Sequence, residues 1–216
     1  MTEYLPILIA IGALALLPFV ALMVTSFAKI VIVLGLLRQA LGLQQVPPNM
    51  VLNGIALVLS LYVMAPVFLT ASDNLSKAGL GISSFKTIED LGGAYDAVSA
   101  PLRNFLFKHS ELRDRKFFQR TAERLWPEEA ARNLKEDDMM VLVPAFTVSE
   151  LSEAFRIGFM LFLAFLIVDL IVANVLLALG MSMVSPTIIS IPFKLLLFVV
   201  LEGWARLLQG LVLGYQ

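Results

Sequence analysis

Cysteine is absent from this sequence and histidine occurs once, at His109. No disulfide, thiolate nucleophile or zinc–sulfur site can form, and one imidazole cannot build a histidine-based metal centre. Charge is scarce as well: 15% of residues are charged, and 16 basic side chains nearly cancel 17 acidic ones. A net charge of −1 supplies no basic field for nucleic acid, which is excluded as a partner. The short catalytic patterns are missing too, since no Gly-rich loop precedes a Lys-Ser/Thr pair and no Gly-x-Ser-x-Gly occurs. His109 lies in Phe107-Lys-His-Ser-Glu111, far in sequence from any serine of an apolar segment, and reads as a solvated surface residue. No enzyme activity and no cofactor are expected. Met1-Thr-Glu-Tyr4 carries no Lys or Arg ahead of the first apolar run, which therefore reads as a retained helix and not as a cleaved signal.

Apolar residues are what the chain has in excess: 59% of the 216 residues are hydrophobic, with a mean hydropathy of +0.86. Soluble domains are nearer half apolar and a quarter charged, so this is the composition of a membrane protein. Four segments carry enough apolar length to be spans, about Tyr4 to Leu37, Asn53 to Ala71, Phe155 to Leu179 and Thr187 to Leu213. The expected fold is an all-α membrane protein in which two helical hairpins flank a polar, mostly helical insert. Its parts are residues 1–71, 72–147 and 148–216. The first segment should bend near Pro18, and Asn49 is the expected N-cap of the second, after Pro47 and Pro48. In the insert, Pro101 to Leu125 has the pattern of one amphipathic helix, and Trp126-Pro-Glu-Glu starts another with Pro127 in its first turn. Thr147-Val-Ser-Glu150 has capping-box spacing and predicts that the third helix begins near Val148, with Glu153 and Arg156 paired one turn on. An even number of spans leaves the termini and the insert on one side. Lys29 and Arg38, near the first hairpin tip, place both tips in the cytoplasm and the insert in the periplasm.

Ionisable residues inside apolar segments are costly and face protein or water, which singles out Lys29, Asp169, Lys194, Glu202 and Arg206. Lys194, Phe198, Glu202 and Arg206 recur every four residues and share one face of a continuous helix. That stripe is either an internal Glu202–Arg206 pair or a contact with another helix or subunit. Asp169 is either a proton relay of a stand-alone transporter or the partner of a structural cation such as Lys29. The tip of the second hairpin, Gly180-Met-Ser-Met-Val-Ser-Pro186, places two unbranched thioethers between turn formers. Met181 and Met183 lack the further Met, Cys or His neighbours of a Cu(I) site. They either fill a core or, in an oligomer, form a deformable apolar ring.

These same stretches resemble the R subunit of the type III secretion export apparatus, the SctR/FliP family. The resemblance is carried by Leu36-Leu-Arg-Gln-Ala-Leu-Gly-Leu-Gln-Gln-Val-Pro-Pro-Asn49, Leu61-Tyr-Val-Met-Ala-Pro66, Pro144-Ala-Phe-Thr-Val-Ser-Glu150 and Gly180-Met-Ser-Met-Val-Ser-Pro186 with Ile191-Pro-Phe-Lys-Leu-Leu-Leu-Phe198. Residues 72–136 match least well. The resemblance implies a component of the core export gate, a homo-oligomer of about five copies, that assembles with S and T subunits into a channel for unfolded proteins. It also implies U and V subunits and the basal-body rings as neighbours, an inner-membrane location inside the secretion-system base, and a pore gasket made by the methionine tip. That role would fall to Met181 and Met183, with Ser182 standing where relatives often have a third methionine. Leu61-Tyr-Val-Met-Ala-Pro66 and the non-basic N-terminus lean towards an injectisome member over a flagellar one.

Overall fold

A computed structural model describes residues 12, 15, 19–79, 88–181 and 183–216, with the side chains of residues 88–91 left aside. Every regular element among them is helical. Pro18 lies outside the described residues. The helical run over residues 19–23 is interrupted at residues 24–26. Helix α1 (Phe27–Ala40) follows, then α2 (Asn49–Lys77), α3 (Ile88–His109), α4 (Leu112–Leu125), α5 (Glu128–Arg132), α6 (Met139–Ala178), α7 (Pro186–Val200) and α8 (Gly203–Leu213). Two helices, α2 and α6, are long and apolar enough to cross a membrane, and α7 with α8 makes a third candidate broken by a 61° bend. This is an all-α membrane protein. The chain forms two compact units, one of residues 1–28 and 61–150, the other of residues 29–60 and 151–216.

In the first unit, Val24, Leu106, Leu142 and Phe146 make the core, with Phe105 tilted against Phe146 at a 5.6 Å centroid distance. His109 is half-buried with its ring 4.7 Å from that of Phe105, so it is a packed residue and not a fully solvated one. The single helix predicted over Pro101 to Leu125 is broken at Ser110 and Glu111 into α3 and α4. The cause is polar. Arg115 is 8% exposed, and its guanidinium donates to the Phe107 carbonyl at 2.9 Å, to Ser110 Oγ at 3.1 Å and to Glu136 at 3.0 Å. It also sits over the Phe107 ring, 4.1 Å from the centroid. Carbonyls at the end of α3 that an unbroken helix would use internally are thereby satisfied by one cation. Asp114 is buried beside it, with Ser149 Oγ 2.8 Å from its carboxylate and the Glu111 amide donating to that same hydroxyl at 2.9 Å. Pro127 stands at the N-cap of α5, one position before the expected first turn.

The predicted start near Val148 is overturned. Helix α6 begins at Met139 and runs through Pro144 for 40 residues. Thr147 caps nothing, because its hydroxyl donates to the Val143 carbonyl at 2.8 Å, one turn back in the helix. Glu153 and Arg156 do pair, as their spacing predicts. Asn49 is likewise not an N-cap: the Pro48 carbonyl accepts from the Leu52 amide at 3.2 Å, so the helix enters one residue earlier. The Asn49 side chain instead accepts from Arg38 Nη1 at 2.7 Å, and the same nitrogen donates to the Pro47 carbonyl at 3.1 Å. Arg38 thus ties the end of α1 to the start of α2 across the first turn.

The second unit packs α7 and the later part of α6 on the end of α1. Leu37, Ala40, Leu41, Phe165 and Phe198 are its buried core, with Trp204 edge-on to Phe198 at 5.5 Å. Glycine is needed at two close approaches. A Cβ at Gly158 would lie 2.2 Å from Leu36, so α6 touches α1 through backbone there; one at Gly203 would lie 2.2 Å from the Phe198 ring.

Candidate functional site

The tip between α6 and α7 is bounded by turn chemistry at both ends. Gly180 adopts φ +73°, its amide donates to the Leu177 carbonyl at 3.0 Å, and the Met181 amide donates to the Leu176 carbonyl at 3.0 Å. Those two bonds are a Schellman motif with glycine at its left-handed position, and they satisfy carbonyls that the end of α6 leaves open. On the far side, Pro186 occupies the first turn of α7, where a missing N–H costs nothing, after Ser185 in extended geometry. The residues that the sequence marks as turn formers therefore act as such. Between them Met183 is 99% exposed and Met181 45% exposed. Neither side chain fills a core within its own chain. Ser182 lies outside the described residues.

Below the tip sits a buried polar lock. Lys194 on α7 is 3% exposed, and its ammonium donates to Asp169 Oδ2 on α6 at 2.7 Å and to the Ala40 carbonyl at the end of α1 at 3.1 Å. Ser190, one turn before Lys194, donates to the other carboxylate oxygen of Asp169 at 2.5 Å. Helix α1 ends in its own Schellman motif at Gly42, φ +79°, so Ala40 keeps an open carbonyl near a helix C-terminus, where a cation is favoured. One lysine thus joins three helices. The partner of Asp169 is Lys194 and not Lys29, whose ammonium lies 4.5 Å from the centroid of the Tyr215 ring.

The stripe expected along the fourth segment does not survive. Helix α7 stops at Val200, Glu202 takes a left-handed conformation at φ 52°, and α8 departs at the 61° bend. Four-residue spacing places side chains on one face only while the helix is continuous. Lys194 and Phe198 are buried, whereas Glu202 and Arg206 are exposed, and among the described residues no salt bridge joins those two. The signal for the lock was available: Asp169 and Lys194 stand about three and two turns from opposite ends of the tip, so antiparallel helices bring them within about one turn of each other, a gap that the lysine stem spans. No comparable signal marked Asp114, Arg115 and Ser149. An Arg-Asp-Arg run in a mixed-charge stretch reads as solvated until the corner between α3 and α4 is known.

The FliP family model matches residues 10–211 of this chain. The hypersensitivity response secretion protein HrcR of Ralstonia nicotianae is 52% identical, over 99% of this chain and 98% of its own length. Yop proteins translocation protein R of Yersinia pestis is 47% identical, over 97% of this chain and 95% of its own. Virulence protein YscR of Salmonella typhimurium is 45% identical, over 94% and 93%. Together with the helices and motifs above, these matches establish that the chain belongs to the FliP family, as a type III secretion R subunit.

Proposed function

We propose that this chain is a structural and gating component of a type III secretion export gate and that its methionine tip is the gasket of the pore. The observation that carries the reading is the tip itself: two flexible apolar side chains, Met183 at 99% exposure, held out on a turn that cannot become helix. A ring of such tips dewets a narrow pore at rest and deforms around a passing chain. The helices support assembly as well. Only 11% of the apolar window of α6 is buried within the chain, so lipid or neighbouring subunits must cover the rest. The neighbours in this reading are further copies of the chain, about five as the resemblance implies, then S and T subunits, U and V subunits and the basal-body rings. The location is the bacterial inner membrane inside the secretion-system base, with the insert on the periplasmic side. No catalytic step is assigned to the chain. Asp169, held by Lys194 and Ser190, serves as a structural anion in this reading and not as the carrier of a stand-alone transporter.

Conductance of membranes holding the assembled gate without needle components tests the proposal. Met181→Ala with Met183→Ala should assemble and leak ions, and Asp at both positions should leak more because it hydrates the ring. A double-Ala gate that assembles in normal amounts and is as tight as the parent removes the gasket role. A native mass of one or two copies, with no S or T subunit, removes the gate altogether.

A further inference from the structure

Helix α4 turns a mostly basic face to solvent, with the exposed Glu123 at its edge. Arg113, Lys116, Arg120 and Arg124 are exposed and follow one another at three-, four- and four-residue steps, so they form one stripe about 16 Å long. Phe117 and Thr121 sit beside them, and the six side chains line a shallow cavity of 430 Å³. Arg113 leans on Asp114 and Glu111 at 3.2 Å and 3.7 Å, whereas among the described residues no acid pairs with Lys116, Arg120 or Arg124. The other side of the helix is committed, because Asp114, Arg115 and Ala122 are buried in their own unit.

The chain also carries the complement. Helix α4 has five basic and two acidic residues, and residues 128–138 directly after it have five acidic and two basic. Some of those acids are used internally: Glu136 holds Arg115, and Asp138 accepts from the Lys135 amide at 2.6 Å. Glu128, Glu129 and Asp137 remain on the surface, Glu128 with only an exposed one-turn contact to Arg132. We infer that the α4 stripe docks on Glu128, Glu129 and Asp137 of a second copy of this chain. The inference rests on the self-association proposed above and supplies its chemistry. A contact between two different patches repeats from copy to copy, generating a ring or a helical stack, and complementary charge fixes its register. A membrane surface is the poorer occupant. A helix lying in the headgroup region needs a continuous apolar face, whereas the exposed apolar side chains of α4 are Phe117 among the cations and Leu112 and Leu125 at the two helix ends, and its opposite side is already packed.

Two tagged versions expressed together decide the matter. One carries Lys116→Glu, Arg120→Glu and Arg124→Glu; the other carries Glu128→Lys, Glu129→Lys and Asp137→Lys. Each alone should lose self-capture between differently tagged copies by at least tenfold, and the two mixed should recover it, since each mutant patch then meets its opposite. A set with Arg120→Lys and Arg124→Lys should behave as the parent, and unchanged helical circular dichroism of both reversed sets excludes misfolding. Self-capture that survives reversal of the stripe overturns the inference and leaves self-association standing. Loss without recovery in the mixture also overturns it, because the anionic partner is then something other than a second copy. Parent copies that never capture one another defeat both this inference and the reading beneath it.

Discussion

Replacing Lys194 by Met tests the polar lock most directly, because the apolar stem stays and only the ammonium goes. Asp169, now paired with Ser190 alone, and the carbonyl of Ala40 lose a donor at 2.7 Å and 3.1 Å respectively. Removing one member of a buried ion pair costs about 3–5 kcal/mol because the survivor is left uncompensated. The Asp169 side chain is 29% exposed and keeps the Ser190 hydroxyl, which points to the lower end of that range. An unsatisfied helix-terminal carbonyl adds about 1 kcal/mol. The expected loss is therefore about 4 kcal/mol. Asp169→Leu alone should be similarly damaging, since Lys194 would stay buried with only a carbonyl to bind. The double variant carries no buried charge at the lock and should lie within about 1 kcal/mol of the parent, as apolar replacements of whole ion pairs commonly do. Stability can be read from Trp204 fluorescence across an SDS titration in mixed micelles, in a Trp126→Phe background that leaves one indole. Trp204 is a local reporter because it packs edge-on to the buried Phe198. A shift below about 1 kcal/mol for Lys194→Met, or a double variant as unstable as the two singles summed, refutes the lock.

Two further outcomes are expected. Gly180→Ala and Gly42→Ala both force a side chain into left-handed backbone, but a Cβ at Gly180 meets open space whereas one at Gly42 lies 3.1 Å from Ile191. The first should therefore cost about 1 kcal/mol and the second clearly more, measured by the same titration; equal losses would show that the approach of α7 to the first turn is unimportant. For topology, cysteine at Asn104, an exposed position of α3, should react with a membrane-impermeant thiol reagent in intact spheroplasts. Reaction only after lysis would place the insert in the cytoplasm.

Composition and local chemistry determined much of this protein without any structure. An excess of apolar length with little charge leaves helices as the economical way to satisfy backbone polar groups in lipid, and the all-α architecture follows. Gly180 and Pro186 identified the second tip because left-handed backbone and a missing N–H are properties of single residues. The Glu153–Arg156 pair was legible for the same reason, being one turn apart on one helix. Where local rules competed with packing, the tertiary structure decided. Thr147 and Glu150 have the spacing of a cap, yet α6 passes through them because the preceding turn, with Leu142, Ala145 and Phe146, is buried in the core of its unit. The stripe from Lys194 to Arg206 assumed a helix that Gly203 and the Phe198 ring break. Which cation meets Asp169, and which hydroxyl meets Asp114, depends on how distant segments are brought level. Charge pairing over 25 residues or more is set by three-dimensional proximity, and helical periodicity reaches only as far as its helix.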